Sequence, residues 1–398
     1  DGCAGSGKTV IALHRIAWLL YNHRERLNTQ NVMILSPNAF FSDYIAEVLP
    51  ELGEDNCIEK EFDDLLADML FVEEPYEFKV DQIHAKNMEA ERVQRIRYKS
   101  SISYFKCLDA YLKQRPKISM GEERPLHVYL RFLRELEKEL PQMAVYQNDR
   151  KEICYEDILA VFYIQVRCFG GSFPQIRHLV IDEMQDYSPI QYKVIQKLYP
   201  CRKTILGDAS QSVNPYGSSN AKTIQRAFAT SEIMKLCKSY RSTFEITNLA
   251  QKIQPDKESE PVMRHGEQPD ILQFKDMEGE ISGIADLIST FKKSDYQSLG
   301  IVCKTEAQAK LLTEKLQTIC AENLHFLSNR SSVFVKGIII TSAHMAKGLE
   351  FDEVIVPQTD SKNYHSAIDR SMLYVAVTRA MHKLSLTYCG IPSLFIEV

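Results

Sequence analysis

The chain has 398 residues, of which 44% are hydrophobic and 25% charged, an ordinary composition for a globular protein of two to three domains. A chain of this length can bury a large core, so it needs no disulfide or metal to hold its fold. The net charge of −5 and the pI near 6.1 exclude the broad basic surface that many nucleic-acid-binding proteins carry. Any surface that binds nucleic acid must therefore be local.

The best local candidate is the basic stretch 86–99 (KNMEAERVQRIRYK). Its charge alone favours a simpler interpretation, a solvated helix face.

The ten cysteines are scattered, and no two form a Cys-x-x-Cys pair. Some lie in apolar, strand-like runs, as Cys303 does. This usage is typical of a reduced protein with buried thiols, and not of a disulfide framework or a zinc site. We find no signal peptide and no apolar run long enough to span a membrane, so we expect a cytoplasmic protein.

The first half of the chain begins with a loop and then changes to helical patterns. Residues 9–21 have apolar side chains at helical spacing, and 31–36 predict a short buried strand. Residues 42–165 are charge-rich and helical in pattern, and 131–140 predict an amphipathic helix. We therefore expect a helical insertion at about 55–165.

Strand patterns return at 178–183 and 203–207, and a second alternation of strands and helices follows. Its predicted strands are 233–238, 270–274, 299–303, 334–341, 352–356 and 383–388. Strands that alternate with helices predict an α/β fold with mostly parallel sheets and helices on both faces. We expect two such domains, at 1–230 and 231–398.

A phosphate-binding loop lies at the start of the chain, where residues 2–9 (GCAGSGKT) match G-x-x-x-x-G-K-[ST]. Glycines let the backbone N–H groups of such a loop face phosphate oxygens. Lys8 should reach the β and γ phosphates, and the Thr9 hydroxyl should bind Mg²⁺. The predicted binding residues for ATP are Gly2, Gly5, Ser6, Gly7, Lys8 and Thr9.

This loop needs a strand before it, and the chain begins at Asp1. We therefore interpret the chain as a fragment of a longer protein.

The acidic motif at 180–186 (VIDEMQD) follows an apolar run. Adjacent carboxylates at a strand end place the first near Mg²⁺ and the second near the attacking water. We predict that Asp182 holds the metal and that Glu183 is the general base. The alternative, an ordinary strand end with solvated acids, is disfavoured by the phosphate loop.

The order of motifs resembles that of the UvrD/Rep-type superfamily 1 helicases over nearly the whole chain. The segments that carry the resemblance are 14–20 (HRIAWLL), 182–186 (DEMQD), 207–212 (GDASQS), 239–243 (SYRST), 341–351 (TSAHMAKGLEF) and 374–380 (YVAVTRA). Softer similarities point to the HelD branch of this family, whose members act on bacterial RNA polymerase. They lie at 36–38, 43–45, 48–54, 97–101 and 108–112.

The resemblance implies two RecA-like lobes with ATP in the cleft between them. In that interpretation, Gln211 senses the γ-phosphate, and Arg241 and Arg379 are arginine fingers. The planar, always-charged guanidinium suits the charge that spreads over the transferring phosphoryl group. Spacing alone would instead favour a surface turn residue at Arg241 and a helix ion-pair partner at Arg379.

The resemblance also implies contacts to the rest of the nucleotide. Tyr240 would stack on adenine, and Glu350 would contact the ribose beside Gly348. Tyr240 as a core aromatic is the alternative.

Departures from the family pattern fall on residues for nucleic acid. Tyr216 stands where the family has a stacking Trp, and it could stack on a base or pack in its own loop. Leu35 stands where the family has an aromatic residue. His344 could contact nucleic acid or be structural, and Trp18, the only tryptophan, is expected in the core.

Three functions remain open. The first is an ATP-driven helicase or translocase on single-stranded or forked DNA, with 3′ to 5′ polarity by resemblance. The second is a HelD-like ATPase that remodels RNA polymerase. It is favoured by the weakened stacking residues and by the short interval, about 100 residues, from Arg241 to Thr341. The third is an inactive truncated fragment.

Overall fold

The computed structural model describes residues 1–36, 49–50, 53–79, 82, 90–114, 123–208, 211, 224–225, 228, 231–256, 259–320, 323–328 and 337–397. The chain forms two compact units. One comprises residues 9–209 and 214–233, and the other comprises 1–8, 210–213 and 234–398. Both contain parallel sheets and helices, which confirms the predicted α/β class.

The unit that contains most of the first half is built on a four-stranded sheet with the order β2-β1-β3-β4. Every neighbouring pair is parallel. The carboxyl ends of the strands therefore lie at one edge of the sheet, where α/β proteins usually bind ligands. The strands are β1 (Val32–Leu35), β2 (Ile58–Lys60), β3 (His178–Ile181) and β4 (Arg202–Ile205).

Helices surround this sheet, and one of them forms the centre of the core. Every residue of the helix Tyr155–Ile164 is buried, and from Ile158 onwards its side chains are apolar or aromatic on all sides, so other elements pack around it. The other α-helices here are Lys8–Asn22, Phe62–Met69, Ala90–Lys99, Ile102–Lys113, Pro125–Glu137 and Pro189–Leu198.

The other unit has a six-stranded parallel sheet with the order β7-β12-β11-β8-β10-β9. Its strands are β7 (Asp270–Phe274), β8 (Leu299–Cys303), β9 (Leu324–Phe326), β10 (Ile338–Ser342), β11 (Phe351–Val356) and β12 (Ala380–Cys389). Its helices are Phe244–Ile253, Met277–Phe291, Glu306–Ile319 and Ala367–Val377. A two-stranded parallel pair, β5 (Lys238–Ser239) and β6 (Glu260–Pro261), completes it.

The expected core position of Trp18 is wrong, because its side chain is 58% exposed. The helix Lys8–Asn22 buries Leu13, Ile16 and Leu20. A residue two positions after Ile16 lies about 200° around the helix, on the opposite face. The helical spacing of the apolar residues therefore predicts the buried face of this helix better than the residue type of Trp18 does.

The expected strand at 233–238 is also largely wrong. Ile233 and Met234 are exposed, and the strand here is only Lys238–Ser239. Leu236 forms an isolated bridge with Gly2. Apolar residues that face solvent do not form a buried strand, so the apolar run misled the prediction.

Among the residues that the structure describes, no helix is both long enough and apolar enough to span a bilayer.

Candidate nucleotide site

The phosphate loop needs glycine at two turns. Gly5 and Gly7 have φ values of +71° and +74°, a region that side chains disfavour. A Cβ added to Gly5 would lie 2.7 Å from the Cβ of Arg241 and 2.8 Å from the Oγ of Ser239. Gly5 therefore also permits a close approach of the loop to its neighbours.

Backbone hydrogen bonds fix the loop against residues 236–240. The Cys3 N–H donates to the Leu236 carbonyl at 3.0 Å, and the Tyr240 N–H donates to the Gly5 carbonyl at 2.8 Å. The Cys3 thiol donates to the Cys237 carbonyl at 3.3 Å. The loop is thereby preorganised before any ligand binds.

Two polar side chains in the loop fit an anion. The Lys8 ammonium donates to the carbonyls of Gly2 and Cys3, at 2.9 and 3.0 Å, so its charge lies over the loop. The Ser6 hydroxyl is buried and has no hydrogen-bond partner within the described part of the chain. A phosphate oxygen would satisfy both groups, so the residues present fit a nucleoside triphosphate.

Asp182 follows β3 directly and contacts the residue after the phosphate loop. The Thr9 hydroxyl donates to Oδ2 of Asp182 at 3.3 Å. The Asp182 N–H donates to the carbonyl of Leu35 on β1. A hydroxyl beside a carboxylate is the ligand pair that Mg²⁺ uses in P-loop proteins, so both residues fit this ion.

Glu183 has a left-handed backbone, with φ +50° and ψ 51°. Such a conformation costs of the order of 1 kcal/mol for a residue other than glycine, and functional sites tend to contain it. The Glu183 N–H donates to Oδ1 of Asp182 at 2.8 Å.

Gln185 links Glu183 to the end of β4. Its side-chain amide donates to Oε2 of Glu183 at 2.5 Å, and its carbonyl oxygen accepts from the Asp208 N–H at 3.0 Å. A Cβ on Gly207 would lie only 2.4 Å from this carbonyl oxygen, so glycine is needed there. Gln185 is 1% exposed and orients the Glu183 carboxylate.

In the other unit, Arg379 is 2% exposed and donates hydrogen bonds to neutral oxygens of the described residues. Its guanidinium donates to Oε1 of Gln211 at 2.7 Å and to the carbonyl of Val375 at 3.1 Å. It also donates to the carbonyl of Leu349 and the hydroxyl of Thr378. The structure therefore brings together Gln211 and Arg379, two residues that lie far apart in sequence.

Arg241 forms an ion pair with Glu350. It also donates to the Thr378 carbonyl at 3.3 Å, while its Nε is buried without a partner within the described residues. Glu350, which the resemblance assigns to the ribose, is thus placed beside the arginine. Thr378 contacts both arginines, through its carbonyl and its hydroxyl.

The remaining predicted residues have distinct environments. Tyr240 is 61% exposed, so its ring is accessible for stacking and the core alternative does not hold. Gly348 has φ +85°, in the turn before Glu350. His344 is half-buried, and Tyr216 lies outside the described residues.

Sequence reasoning assigned no role to two residues of this arrangement, Gln185 and Thr378. Gln185 belongs to the motif at 182–186, so the motif itself was the available signal. Thr378 likewise lies in the motif at 374–380, but its contact to Arg241 through the backbone carbonyl depends on geometry that the sequence does not show.

These features define a class of protein, an α/β protein with a glycine-rich loop before a helix and paired carboxylates after a strand. Comparison with protein families specifies it further. Residues 54–232 match the UvrD/REP helicase N-terminal domain, and residues 337–387 match the UvrD-like helicase C-terminal domain. The chain belongs to the UvrD/Rep-like superfamily 1 helicases.

Two relatives that match part of the chain are also DNA helicases by name. The ATP-dependent DNA helicase srs2 of Schizosaccharomyces pombe is 28% identical over 127 residues, which cover 31% of this chain and 14% of the relative. The ATP-dependent DNA helicase Rep of Buchnera aphidicola is 27% identical over 175 residues, or 40% and 27% of the two chains. This chain thus matches less than a third of either relative.

A solved structure, the C-terminal domain of a possible DNA helicase from Lactobacillus plantarum, is 29% identical. The match covers 40% of this chain and 92% of that one. The TM-score of 0.35 is too low to support an argument about fold.

Proposed function

We propose that this chain is the ATP-hydrolysing motor of a DNA helicase or translocase that moves 3′ to 5′ on single-stranded or forked DNA. The observation that carries the proposal is the arrangement of Thr9, Asp182, Glu183 and Gln185. It supplies two magnesium ligands, a base and a group that orients the base. DNA as the substrate, and the polarity, rest on the family.

In this proposal, Mg²⁺ bound at Thr9 and Asp182 neutralises charge on the phosphates. Lys8 and the loop N–H groups hold the triphosphate. Glu183 accepts a proton from the attacking water, while Gln185 keeps its carboxylate in place.

Arg241 and Arg379 add positive charge in the transition state. An arginine finger accelerates hydrolysis by about 10³–10⁵-fold. The ion pair of Arg241 with Glu350 must then open for Arg241 to contact a phosphate.

The first test measures ATP hydrolysis by the intact protein with and without single-stranded DNA. Glu183→Gln should lower the rate by about 10²–10⁴-fold, because the amide cannot accept the proton. Glu314→Gln, on an exposed face of the helix Glu306–Ile319, is the matched control and should keep the rate. Equal rates for the two variants would refute the catalytic role.

A HelD-like ATPase that remodels RNA polymerase is the second candidate, and two observations favour it. The described residues between Arg241 and Thr341 form core strands and helices of the six-stranded sheet, and none forms a separate helical domain. Leu35, at the position of a family aromatic, is fully buried and offers no stacking face.

The same assay separates the candidates when RNA polymerase replaces DNA. Strong stimulation by DNA supports the helicase. Weak stimulation by DNA, with tight polymerase binding and ATP-dependent release, supports the remodeller. No hydrolysis under any condition would identify an inactive fragment.

A further inference from the structure

A second cluster of chemically reactive side chains lies away from the nucleotide residues, at the start of the buried helix Tyr155–Ile164. The Ile153 N–H donates to the Pro75 carbonyl, and the Glu77 N–H donates to the Ile153 carbonyl, both at 2.9 Å. These two bonds fix Glu77 beside Cys154. Glu156 follows in the first turn of the helix.

Three atoms converge there. The sulfur of Cys154 and one carboxylate oxygen from each of Glu77 and Glu156 lie within 4.8 Å of one another. All three residues are at most 4% exposed. Ligands of a tetrahedral zinc ion are separated by about 3.3–3.8 Å, given bond lengths of about 2.0–2.3 Å. Small side-chain movements would therefore close these atoms around one ion.

The Glu156 carboxylate gives a second, independent indication of a ligand. Its Oε2 accepts a hydrogen bond from the side-chain amide of Gln82 at 2.7 Å. Its Oε1 is buried and has no hydrogen-bond partner in the part of the chain that the structure describes. A buried carboxylate oxygen without a partner is unfavourable, and a bound cation would satisfy it.

Hydrogen bonds and an ion pair from neighbouring residues orient the ligand side chains, as metal sites require. Gln82 fixes the Glu156 carboxylate. The Tyr155 N–H donates to Oε2 of Glu77 at 3.2 Å, and Arg92 forms an ion pair with the other oxygen of Glu77. The fully buried helix is a rigid support for two of the three ligands.

Electrostatics also favour a cation at this position. Burial and the neighbouring Asp157 carboxylate raise the pKa of Glu156 to about 7. Burial, with Glu156 and Asp157, raises the pKa of the Cys154 thiol far above its usual range. With a divalent ion bound, the three negative charges of two carboxylates and one thiolate would match the two charges of the ion and the charge of Arg92.

We propose that Cys154, Glu77 and Glu156 bind a divalent transition-metal cation of the zinc type. A thiolate ligand selects such an ion over Mg²⁺ or Ca²⁺. On binding, a metal–sulfur bond forms, the S–H bond breaks, and its proton leaves to solvent without any change of oxidation state. The ion would join the segment around Glu77 to the central helix. The sequence gives no sign of this site, because its ligands lie in separate segments and form no Cys-x-x-Cys pair.

The test measures metal binding by the full chain after chelation, in excess Mg²⁺ so that Thr9 and Asp182 are occupied. The chain is dialysed against Zn²⁺ and its metal content is counted. Co²⁺ is then used as a probe, because a cobalt–thiolate bond gives a charge-transfer band in the near ultraviolet. We expect about one Zn²⁺ per chain, affinity that rises with pH, and the cobalt band.

Two variants locate the site. Cys154→Ser should abolish the cobalt band, and Glu156→Gln should weaken Zn²⁺ binding by at least about ten-fold. Glu156→Gln keeps the size of the side chain and removes a buried charge, so it should fold even if Cys154→Ser does not. Cys107→Ser, at an exposed cysteine on the helix Ile102–Lys113, is the matched control and should bind as the unmodified chain does.

Absence of bound metal would overturn the proposal, as would unchanged binding in both Cys154→Ser and Glu156→Gln. In the first case, the cluster would be a buried group of polar side chains held by Gln82, Tyr155 and Arg92 alone. The readout does not involve ATP, so either result leaves the proposed hydrolysis to be tested separately.

Discussion

Two groups of carboxylates in the same unit are held in opposite ways. After β3, Asp182 and the half-buried Glu183 have a hydroxyl, a backbone N–H and an amide as partners. In the first turn of the central helix, Glu156 and Asp157 are fully buried, and Lys99 neutralises Asp157. The carboxylates after β3 keep negative charge that a metal ion and a water molecule can approach. The carboxylates of the central helix carry charge inside the core, where a charge of opposite sign must neutralise it. The surroundings, and not the residue type, decide whether a carboxylate can act on a substrate or stabilises the fold.

Removal of Lys99 should have the largest effect on stability. Both side chains of the Lys99–Asp157 pair are fully buried, and Lys99 also donates to the Val145 carbonyl. Lys99→Met leaves Asp157 unpaired, so we expect a loss of about 3–5 kcal/mol in the free energy of unfolding. Urea denaturation measures this loss.

A double variant is the control for that prediction. Lys99→Met combined with Asp157→Leu removes both charges and should recover most of the stability. A loss below about 1 kcal/mol in Lys99→Met would show that the Lys99–Asp157 ion pair contributes little to the free energy of unfolding. The contrast between the two groups of carboxylates would then be wrong.

Asp182→Asn should affect metal binding instead of stability. We expect Mg²⁺ dependence of ATP hydrolysis to shift to at least about 100-fold higher concentration, because a magnesium ligand loses its charge. Asp157→Asn is the matched control, since it should lower stability without shifting the Mg²⁺ dependence. If Asp182→Asn and Asp157→Asn shift the Mg²⁺ dependence equally, the two groups of carboxylates do not differ in their role in metal binding.

His178, at the start of β3, should make stability depend on pH. Burial, with the nearby charges of Arg15, Arg202 and Lys203, lowers its pKa to about 4, from 6.5 in the unfolded chain. Between these values the unfolded chain binds the proton and the folded chain does not. Stability is therefore complete above about pH 6.5 and is lost as the pH falls towards 4, by about 3 kcal/mol.

The variant His178→Gln tests that slope, since glutamine can still bond to the Thr204 hydroxyl that His178 contacts at 3.0 Å. Urea midpoints between pH 7 and pH 4 should fall less steeply for His178→Gln. If the urea midpoints of His178→Gln fall as steeply as before, carboxyl groups and not His178 cause the loss of stability in acid.

Gln185→Ala should have the smallest effect. Without the amide, the Glu183 carboxylate loses its orientation but keeps its basicity, so kcat should fall about ten-fold with little change in KM. Steady-state kinetics measures both values. A change in KM alone would mean that Gln185 acts on nucleotide binding and not on the base.

The sequence predicted several strands of the two parallel sheets correctly. The strand at 299–303 agrees with the structure at both ends, because a continuous apolar run between turns is typical of a buried parallel strand. The strand at 270–274 also agrees at both ends, although Asp270 and Gln273 are exposed. Two predictions failed, Trp18 and the strand at 233–238, since apolar residues in both places face solvent. β9 was missed because its three residues are too few to show a pattern.

For the candidate site, the sequence alone predicted which residues carry the chemistry. The phosphate loop, the carboxylates after β3 and the family resemblance follow from short motifs, whose local geometry depends on neighbouring residues. Only the tertiary structure decided which distant residues meet. Gln211 contacts Arg379, Glu350 pairs with Arg241, and Glu77 lies beside Cys154. Such contacts depend on how strands and helices pack, and no spacing along the chain encodes them.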